Sequence, residues 1–151
     1  DYNGKKLMLS FYRYASCPLC NLRINDLIKH YPEFHEKGLE MLAIFQSPAA
    51  SITQYVGQQD APFSIIPDPK HNLYSKYKVN GDWLKFIKGL KPNKVISAAK
   101  KGFLPGKIEN DMTMIPADFL INTDGIIYTA YYGKDAADHL PLDVIEDFLN
   151  Q

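Results

Sequence analysis

The pattern that most restricts this chain runs from residue 7 to residue 45. LMLSFY (7–12) is a short apolar run bounded by polar residues, which suits a strand buried on both faces. Beyond it, Pro18 fits the first position of a helix, where a missing N–H costs nothing. Leu19, Leu22, Ile24, Leu27 and Ile28 then form an apolar stripe that reaches Tyr31, where Pro32 is expected to stop it. Gly38 opens LEMLAIF (39–45), a second apolar run of strand length. A strand, a crossover helix and a strand make a βαβ unit, which demands a parallel pair and a right-handed connection.

Further along, SITQYVGQQ (51–59) reads as helix with Ser51 as its cap, FSIIPD (63–68) as another buried strand, and HNLYSKYKV (71–79) as a short helix. DWLKFIKGLK (82–91) places Trp83, Phe86, Ile87 and Leu90 at helical spacing, with Asp82 as cap and lysines opposite. That apolar face is expected to cover the core, as part of a helical insertion over about 81–113 packed beside the sheet near the candidate site. LPGKIENDMTM (104–114) carries the residues of a loop. ADFLIN (117–122), the turn TDG and IIYTAYY (126–132) make a β-hairpin, and PLDVIEDFLN (141–150) closes with a helix. The order βαβ, connecting elements, ββα predicts an α/β fold: one domain over 1–151, with a central mixed sheet flanked by helices.

With 17 basic and 17 acidic residues the net charge is zero, which gives no global argument for nucleic acid or an anionic membrane. The charges are sorted along the chain. Lysines dominate from Lys70 to Lys107 with only Asp82 among them, and Asp and Glu dominate from Glu109 onward against Lys134. Two solvated faces of opposite sign are the expectation, Asp118 and Asp135 included. No stretch approaches the ~20 apolar residues of a membrane span, and DYNGKKLMLSFY lacks the pattern of a signal peptide. The sequence thus reads as that of a soluble protein, with a cytoplasmic setting favoured.

The βαβ unit contains both cysteines of the chain, Cys17 and Cys20, in YASCPLCNLR. Cys17 falls at the cap of the expected helix, where the helix dipole and free N–H groups stabilise a thiolate. Cysteines so placed have pKa values from ~3.5 to ~7.5 and attack at neutral pH. Cys20 lies one turn on, within disulfide reach and on a more buried side, so the natural division is Cys17 attacking and Cys20 resolving. A zinc half-site and two inert buried thiols are the competing readings; His30, His35, His71 and His139 lack ligand spacing. A metallochaperone would hold copper or zinc through Cys17, Cys20 and a histidine such as His71 or His139.

Ile115-Pro116 stands just ahead of the hairpin. A strand, CPLC opening a helix, and a proline before a ββα ending resemble the thioredoxin fold. There the equivalent proline is cis, and its loop faces the cysteines. FYRYASCPLCNLRINDL, LEMLAIFQSP, FSIIPDPKHNLYSKYKV and MIPADFLINTDGIIYTAYYG extend the resemblance to the peroxiredoxin-like proteins of the alkyl hydroperoxide reductase and thiol-specific antioxidant family. The resemblance implies that Cys17 attacks, that Cys20 resolves, and that Ile115 and Pro116 lie against the pair, beside Pro18.

Such relatives place a proline seven residues before the attacking cysteine and Thr or Ser three before it, where this chain has Ser10 and Tyr14. They hold peroxide with an arginine from a later strand, whereas Arg13 and Arg23 here flank the cysteines. Thioredoxins carry a buried acid where this chain has Phe11, so no proton acceptor for Cys20 is apparent. The expected activity is thiol-dependent oxidoreduction of a protein disulfide or a hydroperoxide, without a cofactor. The implied partners are an external thiol reductant such as a thioredoxin-type protein and a second copy in a homodimer.

Overall fold

The computed structural model describes residues 2–151. Five strands form one sheet in the order β3-β2-β1-β4-β5. β1 (Lys6–Phe11) lies at its centre, parallel to β2 (Leu39–Phe45) and antiparallel to β4 (Ala117–Ile121), with Leu9 between Leu42 and Phe119. β3 (Ser64–Pro67) extends the parallel side, and β5 (Ile127–Tyr132) closes the hairpin. The hairpin turn uses Gly125 at positive φ, while the Asn122 side chain accepts the N–H groups of Asp124 and Ile126.

The alternation of side chains across the sheet builds two apolar layers. Met8, Tyr12, Leu39, Met41, Ala43, Phe45 and Leu120 face α1 (Pro18–Glu36) and α6 (Leu142–Leu149). Leu9, Phe11, Ile44, Ala117 and Phe119 face α3 (Asn72–Lys76), where Tyr74 and Val79 complete the second layer. The mixed sheet with helices on both faces is the architecture the element order predicts.

Four details differ from expectation. α1 does not stop at Pro32 but runs to Glu36, and Gly38 at φ 87 ends the turn that follows. Tyr31 and Phe34, buried on either side of the proline, contribute ~1.5–3 kcal/mol each, enough to offset the ~3 kcal/mol of an interior proline. Ser51 is not a cap: α2 (Ala49–Gln54) begins earlier, and the Ser51 hydroxyl donates to Glu109 Oε1 at 2.6 Å. β3 is an edge strand with exposed ends, because no further strand covers it. Asp118 and Asp135 are buried rather than part of a solvated acidic face, since both sit where the hairpin and its return loop pack.

The insertion contains α4 (Trp83–Gly89), capped by Asp82 as expected, and α5 (Pro92–Lys100). Of the apolar face of α4 only Phe86 is buried, against Ile115 and Ala136; Trp83, Ile87 and Leu90 are about half exposed. The helix is tethered at its end instead: Gly89 lies so close to the Ala136 backbone that no side chain fits. α5 buries Ala98, and its lysines reach the Ala137 carbonyl (Lys94, 2.9 Å) and Asp26 on α1 (Lys101, 3.4 Å).

Candidate active site

The segment after β1 is pinned to the end of β2. Tyr12 N–H donates to the Ile44 carbonyl at 2.9 Å, Gln46 N–H to the Arg13 carbonyl at 3.2 Å, and Ala15 N–H to Ser47 Oγ at 2.8 Å. This delivers Cys17 to the cap position of α1, with Pro18 as first helical residue, as the sequence predicts. Cys17 Sγ accepts the Cys20 N–H at 3.3 Å, and the Asn21 amide ties down the carbonyls of Ala15 and Cys17 at 2.8 and 2.9 Å. The thiols meet: Cys20 Sγ donates to Cys17 Sγ at 2.8 Å.

Arg13 completes the arrangement. Its Nη2 donates to Cys17 Sγ at 3.0 Å and its Nη1 to the Met112 carbonyl at 3.2 Å. The guanidinium lies over the rings of Tyr14 and Phe86, 5.7 and 5.2 Å from their centroids. Such a cation held between two aromatic faces keeps its geometry and its charge next to the sulfur. Arg23 does something else: its Nη2 donates to the Leu140 carbonyl at 2.7 Å, away from Cys17.

Electrostatics separate the two thiols. Burial alone would raise the Cys17 pKa, yet the Cys20 thiol, the Arg13 charge and the N–H groups of Cys20 and Leu19 bring it down to about 6. Cys20 moves the opposite way, pushed up first by burial and then by its bond to Cys17 and the charge there. Tyr14 is pushed up to about 12 by burial and by Cys17, so its hydroxyl keeps its proton beside the thiolate. The depressed Cys17 and elevated Cys20 are the polarisation that attacking and resolving thiols require.

Burial corrects the expectation that Cys20 lies on the more buried side: Cys17 is 0% exposed and Cys20 3%. Arg13, bonded to Cys17, carries the Phe86 ring against its guanidinium, and a loop of the insertion is fixed to the residue before Cys17, where Ser16 Oγ donates to the Lys107 carbonyl at 2.7 Å. Gly106 packs so tightly on Ser16 and Tyr55 that a Cβ would meet both at 2.8 Å.

Ile115 is buried with Phe86 and Ala136, and the Pro116 carbonyl accepts Gly133 N–H at 2.9 Å. Both line a cavity of about 250 Å³ together with Asp82, Lys85 and Tyr132. The Ile115-Pro116 bond is trans, not the cis bond implied by the resemblance; trans is the lower form of an X-Pro bond by ~0.5–1 kcal/mol. The third metal ligand is also missing. His71 packs on Tyr74, His139 pairs with Asp118, and among the described residues no three metal-ligating side chains come together. Residue spacing could not show this, because metal sites are assembled by packing.

Sequence reasoning overlooked a buried polar group behind the cysteines. Asp118 on β4 is 0% exposed, receives Leu140 N–H at 2.7 Å, and sits 3.0 Å from His139 Nδ1. Tyr12, also 0% exposed, stacks on Phe45 with ring centroids 4.8 Å apart, and its ring lies 4.9 Å from that of His139 at a tilt of 35°. The available signal was an acid inside the apolar run ADFLI, at a position whose neighbours on both sides face the core.

The profile of the AhpC/TSA family matches residues 1–130. A peroxiredoxin bcp from Helicobacter pylori is 24% identical over 139 residues, 92% of this chain and 78% of that one. One from Haemophilus influenzae is 27% identical over 82 residues, a match that spans 54% of this chain and 53% of the relative. Among solved structures, the bacterioferritin comigratory protein of Xanthomonas campestris superposes with a TM-score of 0.66 at 16% identity, covering 99% of this chain and 78% of that one.

Proposed function

Because this chain belongs to the AhpC/TSA family of thiol-dependent oxidoreductases, we propose that it reduces hydroperoxides, with Cys17 as the attacking thiolate and Cys20 as the resolving thiol. The observation that carries this reading is the pairing of Arg13 Nη2 at 3.0 Å with Cys20 Sγ at 2.8 Å on one sulfur. Together they hold a thiolate at neutral pH and keep its partner protonated one turn away.

In the first step Cys17 Sγ attacks one peroxide oxygen. An S–O bond forms, the O–O bond breaks, and the other oxygen leaves as an alcohol after taking a proton, giving a sulfenic acid on Cys17. Arg13 stabilises the charge shifting from sulfur to oxygen, in the role that relatives give to an arginine from a later strand. In the second step Cys20 loses its proton and attacks Cys17 Sγ; the S–S bond forms and hydroxide leaves as water. A dithiol reductant of the thioredoxin type supplies the two electrons that reopen the disulfide. Since Cys17 has no exposed surface, peroxide reaches it when Phe86 and the loop around Lys107 give way.

One equivalent of hydroperoxide added to the reduced protein tests this. The parent should form the Cys17-Cys20 disulfide, Cys20→Ser should stop at a sulfenic acid on Cys17, and Cys17→Ser should consume nothing. A parent that leaves peroxide untouched while reducing insulin disulfides would instead be a disulfide reductase.

A further inference from the structure

Resolution makes a demand that the first step does not. Cys20 must lose its proton inside the core, where it is 3% exposed and where burial favours the neutral thiol. The position where thioredoxins carry an acid holds Phe11, which faces the opposite layer of the sheet. Three carboxylates are buried among the described residues: Asp68, Asp118 and Asp135. Asp68 is committed to the N–H groups of Asn72 and Leu73 at the start of α3, and Asp135 to Lys91 at 2.9 Å. Asp118 remains, on the strand next to β1 and facing the layer that contains Cys20.

Burial alone would raise the Asp118 pKa, yet His139, the Arg23 charge and the Leu140 N–H hold it below the usual carboxylate range, so Asp118 is the ionised partner of the pair. His139 Nδ1 lies 3.0 Å from Asp118 Oδ2, and the imidazole borders an open cavity of about 390 Å³ between α1, α5 and residues 137–139. Leu140 joins Asp118 to α1, its N–H donating to Asp118 Oδ2 and its carbonyl accepting Arg23 Nη2. Tyr12 links this group to the cysteines. Its ring meets that of His139 at a tilt of 35°, it packs in the same cluster as Cys17 and Cys20, and its hydroxyl feels the charges of Asp118, Arg23 and Cys20. The buried hydroxyls of Ser10 and Tyr12 lie close to each other, and neither bonds to any other group. The other charged or titratable neighbours are occupied: Arg13 with Cys17, and Tyr74 with the carbonyls of Tyr12 and Ile44.

We propose that the Asp118-His139 pair, reached through Tyr12, holds the proton that Cys20 gives up as it attacks Cys17, and passes it to solvent in the cavity beside α1. This rests on the reading of Cys20 as the resolving thiol. The step balances as follows: the Cys20 S–H electron pair forms the S–S bond, the proton passes to the pair, and the group displaced from Cys17 leaves with its electrons. Asp118 and His139 act through Tyr12 and are positioning residues for the transfer.

The test uses dithiobis(nitrobenzoate), which separates the two steps without peroxide. Cys17 attacks its disulfide and releases one thionitrobenzoate; Cys20 then displaces the second. In His139→Gly and Asp118→Asn the second release should slow by about a hundredfold, the scale of a positioned base, while the first is unchanged. Added imidazole should restore the second release in His139→Gly, an effect that repair of a merely structural defect would not reproduce. Tyr12→Phe keeps the ring contact with His139 and loses only the hydroxyl; it should slow the second release without being rescued. Parent-like second releases in all three variants would overturn the relay, as would a slowed His139→Gly that ignores imidazole alongside an unaffected Tyr12→Phe. A parent that releases only one equivalent would instead overturn the resolving role of Cys20, and the relay with it.

Discussion

The sheet with α1 and the segment from 81 to 113 are held together in different ways. Around the sheet, alternate residues of β1, β2 and β4 fill two apolar layers, and twelve of the largest side chains have under 2% of their surface exposed. In the insertion, Trp83, Leu84, Ile87, Leu90, Val95, Ile96, Leu104 and Ile108 all remain exposed, and Phe86 is its one large buried side chain. Apart from Phe86, its attachments are largely polar: Lys91 to Asp135, Lys94 to the Ala137 carbonyl, Ser16 to the Lys107 carbonyl and Ser51 to Glu109. Exposed ion pairs contribute ~0–1 kcal/mol each, whereas a buried aromatic contributes ~1.5–3 kcal/mol. The insertion is therefore the part that opens at low cost, and it is also the part fixed to Arg13 and Ser16, beside Cys17.

Truncations should separate the two regions. Phe45→Ala removes a fully buried ring stacked on Tyr12 and should lower the unfolding free energy by ~3–5 kcal/mol in a urea titration. A loss below ~1 kcal/mol would mean that the sheet is not the stable half.

Arg13 joins the two regions, since it bonds Cys17 on one side and the Met112 carbonyl on the other. Arg13→Ala should move the Cys17 thiolate midpoint, followed by absorbance at 240 nm, from about 6 toward the ordinary thiol value near ~8.5. The same thiol links stability to pH. Its folded pKa is depressed, so its contribution is complete above the unfolded value of ~8.5 and is lost as pH falls through about 6. Cys17→Ser should flatten that part of the stability profile; an unchanged profile would show that Arg13 does not hold a thiolate.

Phe86→Ala should act on access more than on stability. Thionitrobenzoate release from Cys17 should quicken by about tenfold, with the fold retained, because the ring over Arg13 is the apolar anchor of α4. Trp83→Ala, on the exposed face of the same helix, should change stability by no more than ~0.5 kcal/mol, a typical surface value. A larger loss on thermal unfolding would mean that this face has a packing partner.

Much of the fold was legible because its signals are local. Strand length, helical spacing and the Asp-Gly turn placed the strands of the βαβ unit, the start of its helix and the hairpin within a residue or two. Pro32 misled for a related reason: propensity ends a helix there, and the burial of Phe34 by residues distant in sequence carries it on. The apolar stripe of α4 misled in reverse. Periodicity marks a face as able to be buried, and only the rest of the chain decides whether anything packs against it.

The amino-acid sequence alone determined that Cys17 caps a helix directly after a central strand, with Cys20 one turn on, because capping and spacing are settled among neighbouring residues. Tertiary structure decided the rest of the site. It chose Arg13 over Arg23 for the sulfur, laid Phe86 on Arg13 and the Lys107 loop on Ser16, and brought Asp118 to His139 near Tyr12. Arg13 is four residues from Cys17, but the other partners lie far apart along the chain, where only burial, which joins residues irrespective of their order, could select them.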